Sequence, residues 1–199
     1  MTVDSQLNPN LYIIAGCNGA GKTTASMTLL PEILGCNEFV NADGIAKGIS
    51  PFKPEKVAFD AGRIMLNRID ELMESKVDFA FETKLATKSY RGKVLKAQEM
   101  GYSVTLVFFW LPSEELAIER VAKRVQEGGH HIPEDVIRRR YQRGIQNLLN
   151  IYLEICNEVM IVENTNTDLE VVAEATNGAP IVVLNNQKWN KLKSFCDEK

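Results

Sequence analysis

Leu11-Tyr12-Ile13-Ile14-Ala15-Gly16-Cys17-Asn18-Gly19-Ala20-Gly21-Lys22-Thr23-Thr24 decides how the chain is read. Residues 11–15 form an apolar run of strand length, and Gly16 to Thr23 fits the pattern G-x-x-x-x-G-K-[ST] directly after it. A strand, a glycine-rich loop and a helix in that order make a phosphate cradle. The glycines let backbone N–H groups close around a polyphosphate, and the following helix points its positive end at the anion. Lys22 is spaced to reach the β- and γ-phosphates, and the Thr23 hydroxyl to ligate Mg²⁺. The nucleotide site is therefore assigned to Gly16, Asn18, Gly19, Ala20, Gly21, Lys22, Thr23 and Thr24, with ATP and Mg²⁺ as its occupants. The chain carries no N-K-x-D guanine signature, which favours ATP over GTP.

Outward from this loop the chain alternates strand-like runs with amphipathic stretches, the pattern of a parallel sheet wrapped by helices. Strands are expected at 11–16, 39–43, 79–83, 104–111, 159–163 and 181–184. Val57, Ala61, Ile64, Met65, Ile69, Leu72 and Met73 recur at helical spacing, which predicts a helix whose stripe is core rather than binding surface. Ser113 with Glu114 and Glu115 reads as a helix start, as does Pro133 with Glu134 and Asp135. The fold class is α/β: a P-loop kinase-like three-layer sandwich with a mostly parallel sheet and a helical lid. Its 199 residues are expected to form one domain, with an N-terminal tail at 1–10 and a lid near 120–140.

Composition narrows the partners. A net charge of −3 supplies no global basic field, so nucleic acid is an unfavoured partner. No signal-peptide pattern or membrane-length apolar stretch occurs, and a cytoplasmic location is expected. Cys17, Cys36, Cys156 and Cys196 lack C-x-x-C spacing, which suits reduced thiols better than disulfides or zinc.

In such a sheet, loops at the C-terminal strand ends line the ligand cleft. Asp43, at the expected end of the second strand, is placed to accept a proton from a substrate hydroxyl. Its alternatives are capping the turn before Gly44 or holding the Mg²⁺ water shell. Glu82 and Thr83 repeat the arrangement on the third strand. There Glu82 would order the metal water or the acceptor, or else tie neighbouring loops by hydrogen bonds. Asn164, in the polar turn after the fifth strand, is the candidate rest for the nucleotide base, although such turns are more often only turns.

Arginines flank the turn Gly128-Gly129-His130-His131-Ile132-Pro133, as in a lid over phosphates. At about 100° per residue, Ile137, Tyr141, Ile145, Leu148 and Tyr152 define a buried stripe; Arg138 lies beside it, and Arg139 and Arg143 nearly opposite. Arg120 and Arg124 share a flank of the preceding helix. Arg120, Arg124 and Arg138 are thus the phosphate candidates, while Lys123, Arg139 and Arg143 read as a solvated face.

Gly16 to Thr24, Asp43, Phe81-Glu82-Thr83, Ile118-Glu119-Arg120 and the Gly-Gly-His-His-Ile-Pro-Glu-Asp turn together resemble the zeta toxin family over about residues 11 to 165. The resemblance implies a P-loop kinase that phosphorylates the 3′-hydroxyl of the sugar in UDP-N-acetylglucosamine, restrained by an antitoxin over the nucleotide site. It implies ATP and Mg²⁺ at Lys22 and Thr23, the base at Asp43, sugar-nucleotide contacts at Glu82 and Thr83, and a lid arginine at Arg120. Where the family places a second lid arginine before the proline, this chain has His130 or His131, so Arg124 or Arg138 must replace it. The chain is also short, with less room for peripheral substrate-binding elements. Other acceptors (a metabolite, an antibiotic or a polynucleotide end) and a non-transferring nucleotide switch remain as alternatives.

Overall fold

The computed structural model describes residues 8–129, 131–165 and 169–197. Its described residues form a seven-stranded sheet of order β2-β3-β1-β4-β5-β6-β7. The central strand β1 (Asn10–Gly16) is fully apolar past its first residue and lies parallel between β3 (Phe79–Thr83) and β4 (Ser103–Trp110). A strand with neighbours on both edges and helices on both faces has no wet side, which explains its unbroken hydrophobic run. Outside this pair stand β2 (Glu38–Val40) and β5 (Glu158–Glu163), both parallel to their neighbours. The class expected from sequence is the class found: a mostly parallel P-loop kinase-like α/β sandwich.

The helices are α1 (Lys22–Thr28), α2 (Ala42–Ile49), α3 (Ala58–Glu74), α4 (Arg91–Glu99), α5 (Glu114–Gln126) and α6 (Glu134–Asn147). A π-helical stretch, Leu148–Tyr152, extends α6 into the short α7 (Leu153–Ile155), and α8 (Asn186–Asp197) ends the described chain. Ser113 caps α5 by accepting from Leu116 N at 3.2 Å, as its position predicts. The stripe of α6 is buried as read, with Ile137, Tyr141, Ile145, Leu148 and Tyr152 at most 2% exposed.

Several expectations are corrected. The second strand stops at Val40, because the Asn41 side chain accepts from Asp43 N and Gly44 N and thereby starts α2. Asp43 therefore sits in the first turn of a helix, not at a strand end. Ile64 leaves the predicted core stripe of α3: it is 45% exposed and borders the cleft, while Ala61, Met65, Ile69, Leu72 and Met73 are buried. The run at 181–184 shrinks to β7 (Val182–Val183), and β6 (Glu170–Thr176), not anticipated, joins β5 antiparallel. Residues 1–7 of the expected tail lie outside the described residues, and Asn10 already belongs to β1. No helix of the described residues is long and apolar enough to cross a membrane.

Candidate active site

The phosphate loop leaves β1 at Gly16, whose φ is +138°. A Cβ there would stand 2.2 Å from the Phe109 carbonyl oxygen of β4, so only glycine lets the loop depart this close to the sheet. At Gly21 (φ +80°) a Cβ would stand 2.3 Å from Asn164 Nδ2, which donates to the Ala20 carbonyl at 2.8 Å. Asn164 thus braces the loop from the end of β5. Gly21→Ala combines a strained φ with this clash and is expected to cost about 1–3 kcal/mol of stability along with nucleotide affinity. Thermal denaturation and calorimetry of the variant check both.

Lys22 is almost wholly buried, and its Nζ donates to the Cys17 carbonyl at 2.8 Å and stands 3.6 Å from Glu82 Oε1. Burial pushes the Lys22 pKa down from its ordinary value, while the Glu82 carboxylate pulls it back up. Glu82 gathers the site: besides Lys22 it accepts from Thr23 Oγ1 at 2.6 Å and from Asn41 Nδ2 at 2.8 Å. Cys17 is a bystander thiol, its pKa raised by burial to about 11.

Opposite this cluster, Lys84 Nζ donates to both carboxylate oxygens of Asp43 at 2.9 Å. Lys84 is held there by the backbone after it. Leu85 adopts φ +56°, unusual for a leucine, and is fixed by Thr83 Oγ1 accepting from its N–H at 3.0 Å and by Asn147 Nδ2 donating to its carbonyl at 2.7 Å. Thr83 is consequently turned into the structure and does not line the cleft, contrary to its expected place beside a substrate.

One cleft of about 980 Å³ joins these parts. Asn18, Gly19, Gly21, Lys22, Thr23, Thr24, Asp43, Glu82, Lys84, Arg120 and Arg124 border it, and it runs on past Met27 and Phe39 to Ile64 and Arg68 of α3. A space this size exceeds what a triphosphate needs and leaves room beside Asp43 for a second reactant.

The arginines divide by what they hold. Arg120 places both arms of its fork on backbone carbonyls, Nη1 on Asn164 and Nη2 on Thr165, each at 2.7 Å. Arg124 lines the cleft, and its buried Nε and Nη2 have no hydrogen-bond partner among the described residues. Arg138 is turned away to Glu114 at 3.1 Å and Glu115 at 2.8 Å, and it does not border the cleft. Arg140 does not border the cleft either, but it reaches the phosphate loop, its Nη1 donating to Asn18 Oδ1 at 3.3 Å. His130 lies outside the described residues, and His131 is exposed. Sequence reasoning passed over Asn41, Lys84 and Arg140. The helix-capping preference of asparagine ahead of Ala42-Asp43 was the available signal for the first.

A central parallel strand running into a glycine loop, with a lysine and a threonine on a carboxylate from the neighbouring strand, defines the class of P-loop kinases. The zeta toxin family model matches residues 1–174, and the chain belongs to that family. It is 29% identical over 126 residues to an uncharacterized protein of Haemophilus influenzae, spanning 63% of this chain and 88% of that one. Among solved structures it resembles the AvrRxo1-ORF1:-ORF2 complex with ATP (TM-score 0.73, 17% identity, 96% of this chain). The chain spans 65% of the length of that relative. It also resembles the PezAT chromosomal toxin-antitoxin system of Streptococcus pneumoniae (TM-score 0.63, 16% identity), with 98% of this chain and 88% of that one covered.

Proposed function

We propose that this chain is an ATP- and Mg²⁺-dependent kinase that moves the γ-phosphate to a hydroxyl of a sugar nucleotide such as UDP-N-acetylglucosamine. The observation that carries the reading is the pairing, in one cleft, of a phosphate loop with a carboxylate from outside that loop: Asp43, held by Lys84. A binding switch needs no acceptor base, whereas a kinase does.

The whole chain, 1–199, is read as one kinase unit with residues 120–140 as its lid, acting in the cytoplasm. Lys22 would leave the Cys17 carbonyl for the phosphates. The Thr23 hydroxyl and the Glu82 carboxylate fit Mg²⁺, being hard oxygen donors side by side. No cluster of three or more His, Cys, Asp or Glu able to hold a metal occurs among the described residues, as suits an ion carried largely by phosphate and water. When bound, Mg²⁺ offsets charge on the transferring phosphoryl group. Asn164 and Arg120 form the wall toward the base, and Arg124 offers unpaired donors to the phosphates.

In the transfer, the acceptor oxygen forms a bond to the γ-phosphorus as the bond to the bridging β,γ-oxygen breaks. The hydroxyl proton passes to the Asp43 carboxylate, and ADP leaves. A protein antitoxin over the nucleotide site is the proposed partner, in keeping with the toxin-antitoxin system to which the chain is similar.

Mass spectrometry tests the reading. Protein, ATP, Mg²⁺ and UDP-N-acetylglucosamine are expected to give the sugar nucleotide one phosphate heavier. If only some other metabolite in a bacterial extract gains phosphate, the acceptor falls and the kinase stands. If nothing does, the switch reading replaces both.

A further inference from the structure

The arginines near the phosphate loop are not equally available to a ligand. Arg138 is neutralised by two glutamates, and the Arg120 fork is occupied by two carbonyls. Arg140 is neither. It lies two residues beyond Arg138, on the other flank of the buried α6 stripe, and that flank faces the loop. Its contact there is Asn18, a buried phosphate-loop residue that borders the cleft. No carboxylate among the described residues lies within ion-pair distance of Arg140.

A half-buried guanidinium set against one amide oxygen is an under-compensated cation, because a neutral acceptor restores only part of the hydration lost. Burial is the largest influence on it and pushes its pKa down, with Asp43 opposing and Arg139 reinforcing that direction. An anion arriving beside Asn18 would complete the site. Asn18 borders the same cleft as Asp43, the proposed base, so an anion bound beside it lies in the space where acceptor and γ-phosphate must meet.

We infer that Arg140 is a catalytic residue of this chain, binding the γ-phosphate oxygens from α6, a role for which the sequence alone offers Arg124 or Arg138. This rests on the nucleotide-site reading above. The consequence is selective, because a contact at the γ-phosphate distinguishes a triphosphate from a diphosphate. A bidentate fork is also better matched than an ammonium to a phosphoryl group in motion.

Calorimetry with ADP and with the non-hydrolysable adenylyl imidodiphosphate, each with Mg²⁺, tests it. Arg140→Ala is expected to weaken the triphosphate analogue about tenfold and ADP by less than about twofold, the loss of one charge-assisted contact. Arg140→Lys is expected to fall between, and Arg139→Ala to match wild type with both nucleotides. Arg140→Gln keeps the stem without the charge and makes the same comparison if the alanine variant does not fold. An unchanged ratio of the two affinities in wild type and variant overturns the assignment, whether neither nucleotide weakens or both weaken equally. If wild type binds neither nucleotide, the nucleotide-site reading fails and Arg140 falls with it; wild-type binding with an unchanged ratio removes Arg140 alone.

Discussion

Asp43→Ala is expected to abolish phosphoryl transfer while leaving ATP bound nearly as in wild type. The carboxylate belongs to α2 and takes both hydrogen bonds of Lys84, and a negative group adds little to holding a polyanion. In-line transfer, by contrast, needs an acceptor hydroxyl that is oriented and relieved of its proton, which supplies roughly a hundred- to ten-thousandfold in rate. The variant leaves the Lys84 ammonium without this carboxylate, and Asp43→Asn, which keeps the shape and removes the charge, separates that effect from loss of the base. Both variants are expected to bind ATP by calorimetry and to give no phosphorylated product by mass spectrometry. Full transfer by either one to an established acceptor would remove Asp43 from the base position.

Lys22→Ala is expected to act on the other reactant. Its ammonium is the one cation pressed against Glu82 inside the phosphate loop among the described residues, so its removal leaves a buried carboxylate facing the place where a polyanion must bind. Losing a buried charged contact to the bound phosphates costs about 2–5 kcal/mol, which is roughly thirtyfold to several thousandfold in ATP affinity. Glu82 keeps the Thr23 and Asn41 hydrogen bonds, so the fold is expected to persist by circular dichroism. ATP binding and turnover unchanged from wild type would refute the role given to Lys22.

The central fold was legible because its strands are apolar enough to have no other use. β1, β3 and β4 declare themselves by runs largely buried on both faces, β5 by the apolar run Val159–Val162, and the loop after β1 by its glycines. β6 was missed for the opposite reason. Glu-Val-Val-Ala-Glu-Ala-Thr is a half-exposed antiparallel strand near the sheet edge, whose polar residues resemble a loop. Which strand neighbours which is a matter of long-range pairing, and no local pattern encodes it.

The candidate site divides along the same line. Periodicity placed Arg138 beside the α6 stripe and left Arg140, on the other flank, unremarked; the two flanks are equivalent until the helix is docked, and the flank facing the loop is that of Arg140. Thr83 was read as a strand-end hydroxyl, yet the backbone turn at Leu85 claims it. Ile64 obeys the helical stripe and still escapes the core, because it borders the cleft.

The bracing of the phosphate loop also dates its assembly during synthesis. The loop leaves a strand that pairs with residues 79–83 and 103–109, rests against Phe109, and is closed from outside by Asn164. A nascent chain that has emerged from the ribosome only as far as α3 therefore carries the whole glycine motif without the walls that shape it. Competence to hold a nucleotide is expected to arrive late in translation, once β5 and the turn at Asn164 have emerged and folded back. A toxic activity built on this loop would then be silent in every product of its own messenger that stops short of Asn164.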